Sequence, residues 1–167
     1  MTKNNSSATE NPTERELIIT RTFNAPREVV WRAWNDPAHI EKWWGPETFS
    51  TRVEEMDFRP GGKWRYVMID QDGNEYPAVG VFREIVVPER IVTSDEFGEE
   101  LIDQAAPGDF PTGIMLTVSF EDLDDKTKVT LTYVHRSVED RVKHETMGVV
   151  AGWNSSLDKL VVYLVKM

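Results

Sequence analysis

The final stretch, Glu139 to Met167, most constrains what this chain can fold into. At helical spacing Thr146, Val150, Trp153, Leu157, Leu160, Leu164 and Met167 fall on one stripe, with Val161 beside it. Asp140, Lys143, Asn154, Ser155, Asp158, Lys159 and Lys166 take the opposite face, so this helix buries one side and keeps the other wet. It is not a membrane span. At about 1.5 Å per residue it would run roughly 40 Å, long enough to cross a small domain. The preceding segments must supply the apolar surface that it lies on.

Those segments read mainly as strands. Glu16 to Asn24 alternates Leu17, Ile19, Arg21 and Phe23 as a half-buried strand. Ala25-Pro26 opens a helix carrying Val30, Ala33 and Trp34, which Asp36-Pro37 stops. A second short helix carries Ile40, Trp43 and Trp44 and ends at Gly45-Pro46. Strands follow over Thr48–Phe58, Lys63–Ile69, Tyr76–Val87, Arg90–Phe97, Thr112–Phe120 and Lys128–Arg136, divided by Arg59-Pro60-Gly61-Gly62, by Asp72-Gly73 and by other turn chemistry. Gly98 to Pro111 is a long acidic loop. Consecutive strands joined by short loops must be antiparallel. The expected fold is α+β: a curved antiparallel sheet of about six or seven strands wrapped around a long C-terminal helix, with two short helices after the first strand, a helix-grip fold.

A length of 167 residues favours one domain. Residues 1–14, rich in Asn, Ser, Thr and Glu, are expected to be a flexible tail, leaving residues 15–167 as a single domain. A formal charge of −10 repels phosphate backbones and anionic lipid, which argues against nucleic-acid and membrane partners. The absence of cysteine removes disulfides, thiolate metal sites and cysteine nucleophiles, and with no signal peptide in the sequence the expectation is a cytoplasmic protein.

Several short pieces carry a resemblance. They are Phe23-Asn24-Ala25-Pro26 with Val30 and Trp31, Trp43-Trp44-Gly45-Pro46, Arg59-Pro60-Gly61-Gly62-Lys63-Trp64, Gly80 with Glu84-Ile85, Pro88-Glu89-Arg90-Ile91-Val92, and Gly152-Trp153 with Leu157 and Leu160. In this order the chain resembles the activator of heat-shock protein 90 ATPase homologue-like family, within the START-like (SRPBCC, birch-pollen-allergen-like) superfamily. The resemblance implies an apolar cavity between sheet and final helix. Relatives include co-chaperone domains, hydrophobic-ligand carriers, cyclases and proteins that sequester reactive natural products, so the fold leaves the activity open.

The expected cavity lining combines Trp64, Tyr66 and Met68 on one strand face, Tyr133 and His135 on another, and Met115, Met147 and Trp153. Aromatic and Met side chains suit a ligand pocket because they offer area and adaptable shape, although each could equally be core filling. Trp43 and Trp44 adjoin on a short helix and cannot both point inward, so one is expected near the cavity mouth or on the surface unless both close one end of the core, and Trp44 is counted with the ligand-binding set. The histidines His39, His135 and His144 lack metal-ligand spacing, so neither a metal nor another cofactor is expected. Of the three, His135 is expected to face the cavity, as a structural residue or as an acid–base group partnered by Asp95 or Glu96. Ser155 and Ser156 are both placed on the wet side of the final helix.

These readings favour a binding protein for a small hydrophobic ligand over an enzyme. The first alternative is a module that binds a chaperone or another protein in a stress response, and the second is a cyclase- or hydrolase-like enzyme using the same cavity.

Overall fold

A computed structural model describes residues 14–104 and 110–167. The expected tail falls outside the described residues except for Glu14, and so does the 105–109 part of the acidic loop. The chain runs β1 (Glu16–Phe23), α1 (Arg27–Asn35), α2 (Pro37–Trp43), β2 (Ser50–Met56), β3 (Lys63–Ile69), β4 (Glu75–Val86), β5 (Arg90–Ser94), β6 (Glu96–Phe97), α3 (Glu99–Gln104), β7 (Met115–Asp122), β8 (Thr127–Val134), α4 (Val138–Thr146) and α5 (Val149–Lys166). The strands form an 8-stranded sheet in the order β1-β8-β7-β5-β4-β3-β2, with β6 on β4. Every pairing is antiparallel, as short connections require. The helix-grip expectation holds, with α5 against the sheet.

The inner face follows strand alternation. Leu17, Ile19 and Phe23 on β1, Val129, Leu131 and Tyr133 on β8, and Leu116, Val118 and Phe120 on β7 are all buried. Against them lie Trp153, Leu157 and Leu160 of α5. Asp36 caps α2 by accepting from the Ala38 amide at 2.8 Å, and Pro37 occupies the first turn, where its missing N–H costs nothing. α1 and α2 close one end of the sheet with a cluster of rings. Trp34 meets Trp43 at 4.5 Å and Phe120 at 5.3 Å between centroids, and Trp31 meets Phe120 at 5.1 Å.

Four expectations change, the first being that the segment read as a loop from Gly98 carries α3 at Glu99–Gln104. The C-terminal helix is two helices, because Gly148 takes φ +91°, a left-handed conformation that L side chains rarely adopt. α5 alone then spans about 27 Å at the helical rise, and α4 is a separate helix in contact with it. The strand expected over Arg90–Phe97 breaks at Asp95 into β5 and β6, which gives eight strands in place of six or seven. There the Asp95 amide donates to Ile114 O at 2.9 Å while β6 continues along β4 only. Ser156 is also not on the wet side: it is 2% exposed, donates to Trp43 O at 2.9 Å and accepts from the Gly45 amide at 3.1 Å. Two backbone groups in the bend after α2 need a partner, and this hydroxyl answers both.

A glycine seats the largest ring of β3. Gly80 pairs with Trp64 across β3 and β4, and a Cβ on it would lie 2.4 Å from the Trp64 ring and 2.2 Å from Ser94 O. The indole therefore lies flat over Gly80, and its Nε1 donates to Thr93 Oγ1 at 2.7 Å.

Candidate functional site

Away from the ring cluster, the space between sheet, α4 and α5 is not filled. A cavity of about 240 Å³ is lined by Trp44, Gly45, Pro46, Met68, Ala78, Asp95, Glu96, Phe97, Ile114, Tyr133, His144, Met147, Gly148, Val149, Gly152, Trp153 and Ser156. A second void of about 40 Å³ lies deeper, among Trp64, Tyr66, Phe82, Leu116 and Val118, and it shares Trp44, Asp95 and Trp153 with the first. Gly152 makes room: a Cβ there would meet only Pro46, at 3.8 Å.

Of the residues read from the sequence, Trp44, Met68, Tyr133, Met147 and Trp153 meet at the main cavity, whereas Trp64 and Tyr66 line the deeper void. Two do not arrive. Met115 pairs with Val134 and Ser94, one residue out of step with Leu116 and Tyr133, so Leu116 and Ile114 take the inner positions. A register displaced by one residue turns each side chain to the other face of the sheet. His135 is 1% exposed and sits behind His144, which takes the place at the cavity wall. Its partner is neither Asp95 nor Glu96: His135 Nε2 and His144 Nδ1 lie 2.8 Å apart, and His135 Nδ1 lies 2.9 Å from Arg15 O.

His144 and Asp95 are the functional candidates that the sequence reading missed or misplaced. His144 reaches the cavity because the chain reverses at Gly148, a glycine following helical residues that is itself a helix-end signal. Asp95 reaches it because β5 ends there. Its Oδ2 accepts from Tyr133 Oη at 2.8 Å, and Tyr133 Oη accepts from Trp153 Nε1 at 2.7 Å. Burial pushes the Asp95 carboxyl up to about 6, against the opposing hydrogen bond from Tyr133 and with help from neighbouring Glu96. Burial, then the adjacent His135, pushes His144 down to about 4, and burial also lowers His135. The Tyr133 phenol is raised by burial and by Asp95, so it stays a hydroxyl.

The rings around this network hold it in place. Tyr133 meets His144 at 4.9 Å, edge to face, and Trp44 meets Trp153 at 6.3 Å and Tyr66 at 5.1 Å. Trp44 makes its contacts at the cavity edge, half-buried, while Trp43 beside it is fully buried and donates through Nε1 to Ala33 O at 3.0 Å. Among the described residues no group of three or more His, Cys, Asp or Glu could hold a metal ion, and no helix is long and apolar enough to cross a membrane.

Comparison with known proteins places this architecture. The family model described as Activator of Hsp90 ATPase homolog 1-like protein matches residues 24–165. A solution structure of an Arthrobacter aurescens protein is similar to the chain with TM-score 0.83 and 28% identity, over 92% of this chain and 88% of that one. A crystal structure of a Mycobacterium smegmatis protein is similar with TM-score 0.78 and 28% identity, over 92% of both chains. A Nitrosomonas europaea protein gives TM-score 0.75 and 26% identity, over 93% of this chain and 97% of that one. No curated protein matches the chain.

Proposed function

The chain belongs to the family of Activator of Hsp90 ATPase homolog 1-like proteins, and on that premise we propose that it holds a small, mostly apolar molecule between its sheet and α5. The observation that carries this reading is the unfilled cavity of about 240 Å³ walled by Trp44, Tyr133, Trp153, Met68 and Met147. Protein interiors leave few voids larger than a water molecule, and an apolar cavity of about 150 Å³ already admits benzene. A cavity larger than that suits a ligand of about two fused rings. No chemical step is needed for this role.

Equilibrium dialysis against naphthalene tests the proposal, with Gly152→Leu as the plugged control. The wild type is expected to retain the ligand and the variant to lose it, because a leucine at 152 projects into the space that the glycine leaves. Equal retention by the two proteins, or none by either, refutes the reading.

A second reading, docking onto a chaperone or another protein, is favoured by one feature. Val161, Val162 and Val165 stand exposed on α5, outside the cavity, on a chain of net charge −10. Val162→Asp combined with Val165→Asp would abolish such docking and leave naphthalene retention unchanged.

A further inference from the structure

The direction of every hydrogen bond around the cavity can be fixed, and together they specify what a bound molecule must offer. Arg15 O can only accept, so His135 Nδ1 carries the proton. Burial keeps His135 neutral, which leaves its Nε2 as a lone pair. His144 Nδ1, 2.8 Å away, must then be the donor to it, and His144 Nε2 is left bare. Tyr133 and Phe97 hold the His144 ring edge to face at 4.9 and 6.2 Å, so it cannot exchange its two nitrogens without repacking. Among the described residues the only sealed side-chain nitrogen or oxygen without a partner is Arg27 Nε. His144 Nε2 has no partner among the described residues and is not sealed, on a side chain that lines the cavity.

The opposite wall follows the same logic. The Trp153 indole can only donate, so the Tyr133 hydroxyl that accepts from it points its own proton at Asp95 Oδ2. Asp95 Oδ1 is left for the cavity. Meanwhile three side-chain donors of the lining are spent within the protein, Trp153 on Tyr133, Tyr133 on Asp95 and Ser156 on Trp43 O, and the Trp44 indole N–H is the one left without a partner among the described residues. Among the described residues the wall thus presents free acceptors on His144, Asp95 and Glu96, whose Oε1 accepts from the Gly113 amide while Oε2 is left over, against one free side-chain donor, the Trp44 indole N–H.

We propose that the cavity selects apolar molecules bearing a hydroxyl or amino group, whose hydrogen is received by His144 Nε2 or Asp95 Oδ1, and discriminates against anions. This rests on the ligand-binding reading above. An acceptor-only ligand leaves both buried acceptors unpaired, which is the costly outcome, and a carboxylate adds repulsion from Asp95.

Three ligands of one size separate the possibilities by equilibrium dialysis at pH 7.5: 2-naphthol, 2-methoxynaphthalene and 2-naphthoate. The naphthol is expected to bind about tenfold or more tightly than its methyl ether, in keeping with a hydrogen bond to a charged or strongly polar acceptor, and the naphthoate to bind weakest. Asp95→Asn keeps an acceptor for Tyr133 but turns an amide N–H₂ to the cavity, so it is expected to shrink the naphthol preference and to raise naphthoate affinity. Naphthol and methyl ether binding equally would overturn the inference while leaving the ligand-binding reading intact. So would a naphthoate that binds best, seated on the amides that begin α5. Failure of all three ligands to bind would remove the reading and the inference together.

Discussion

The two ends of the interior are built from the same kinds of residue and put to different use. At the closed end, Trp31, Trp34, Trp43 and Phe120 interlock, and the Trp43 N–H is bonded to Ala33 O. At the open end, Trp44, Trp153 and Tyr133 line a cavity, with Asp95 and His144 each holding an acceptor that no group among the described residues uses. Neighbouring tryptophans at 43 and 44 face the two ends. Aromatic area is thus no guide to function by itself. What marks the open end is unmet hydrogen-bonding capacity beside unfilled volume.

The largest effect that could break this comparison is on stability. Trp43→Ala removes a fully buried ring from a packed cluster and is expected to cost about 3–5 kcal/mol in denaturant unfolding, whereas Trp44→Ala is expected to cost less than half as much and to abolish ligand retention. Equal losses would mean that the two ends are packed alike.

The next largest effect lies in pH. His144 has its folded pKa depressed to about 4 from 6.5, so the stability it contributes is present above 6.5 and is lost as pH falls through about 4. His135, also lowered, acts in the same direction. Asp95 has its folded pKa raised to about 6 from 3.8, so its contribution is present below 3.8 and is lost as pH rises through about 6. The opposing slopes overlap between pH 4 and 6 and largely cancel in the wild type. Asp95→Asn is expected to expose the histidine slope, with unfolding free energy rising by roughly 3 kcal/mol from pH 4 to 6.5. His144→Gln is expected to expose the opposite slope, and flat profiles in both variants would contradict the assigned pKa directions.

Smaller still is Tyr133→Phe. It strands the Trp153 N–H and removes a donor from Asp95, with an expected cost of about 2 kcal/mol and a further rise in the Asp95 pKa, readable by carboxyl NMR. The smallest effect has the opposite sign. Gly152→Leu within α5 is expected to stabilise by about 0.5–1 kcal/mol through helix propensity alone, since its Cβ meets only Pro46 at 3.8 Å, while it removes binding. A destabilised Gly152→Leu would show that the open end is already well packed.

Much of this architecture was legible in the sequence because it rests on period and punctuation. Alternation along β1, β7 and β8, the Pro26 helix start and the Asp36-Pro37 stop produced the order of the main elements and the sheet on which α5 lies. The site was only partly legible. Trp44, Met68, Tyr133, Met147 and Trp153 share a wall because face and period place them there, but Met115 alternates with the buried Leu116, Val118 and Phe120 of its own strand, so the β7 pattern itself turns it away from the wall. His144 was hidden by reading one helix across Gly148, and Asp95 by reading one strand across a break. Both misses fall where a regular element stops, and each supplies a free acceptor to the cavity.

The sheet order also carries a consequence for how the protein is made. β1 is hydrogen-bonded only to β8, residue for residue from Glu16 opposite Val134 to Phe23 opposite Thr127. On the ribosome, the first strand to emerge must therefore wait for the last one. Until Thr127–Val134 has left the exit tunnel, Leu17, Ile19 and Phe23 form an apolar strand with no partner along either edge. Closure of the fold is thereby postponed until β8 has emerged, and β1 is exposed to wrong pairings until then.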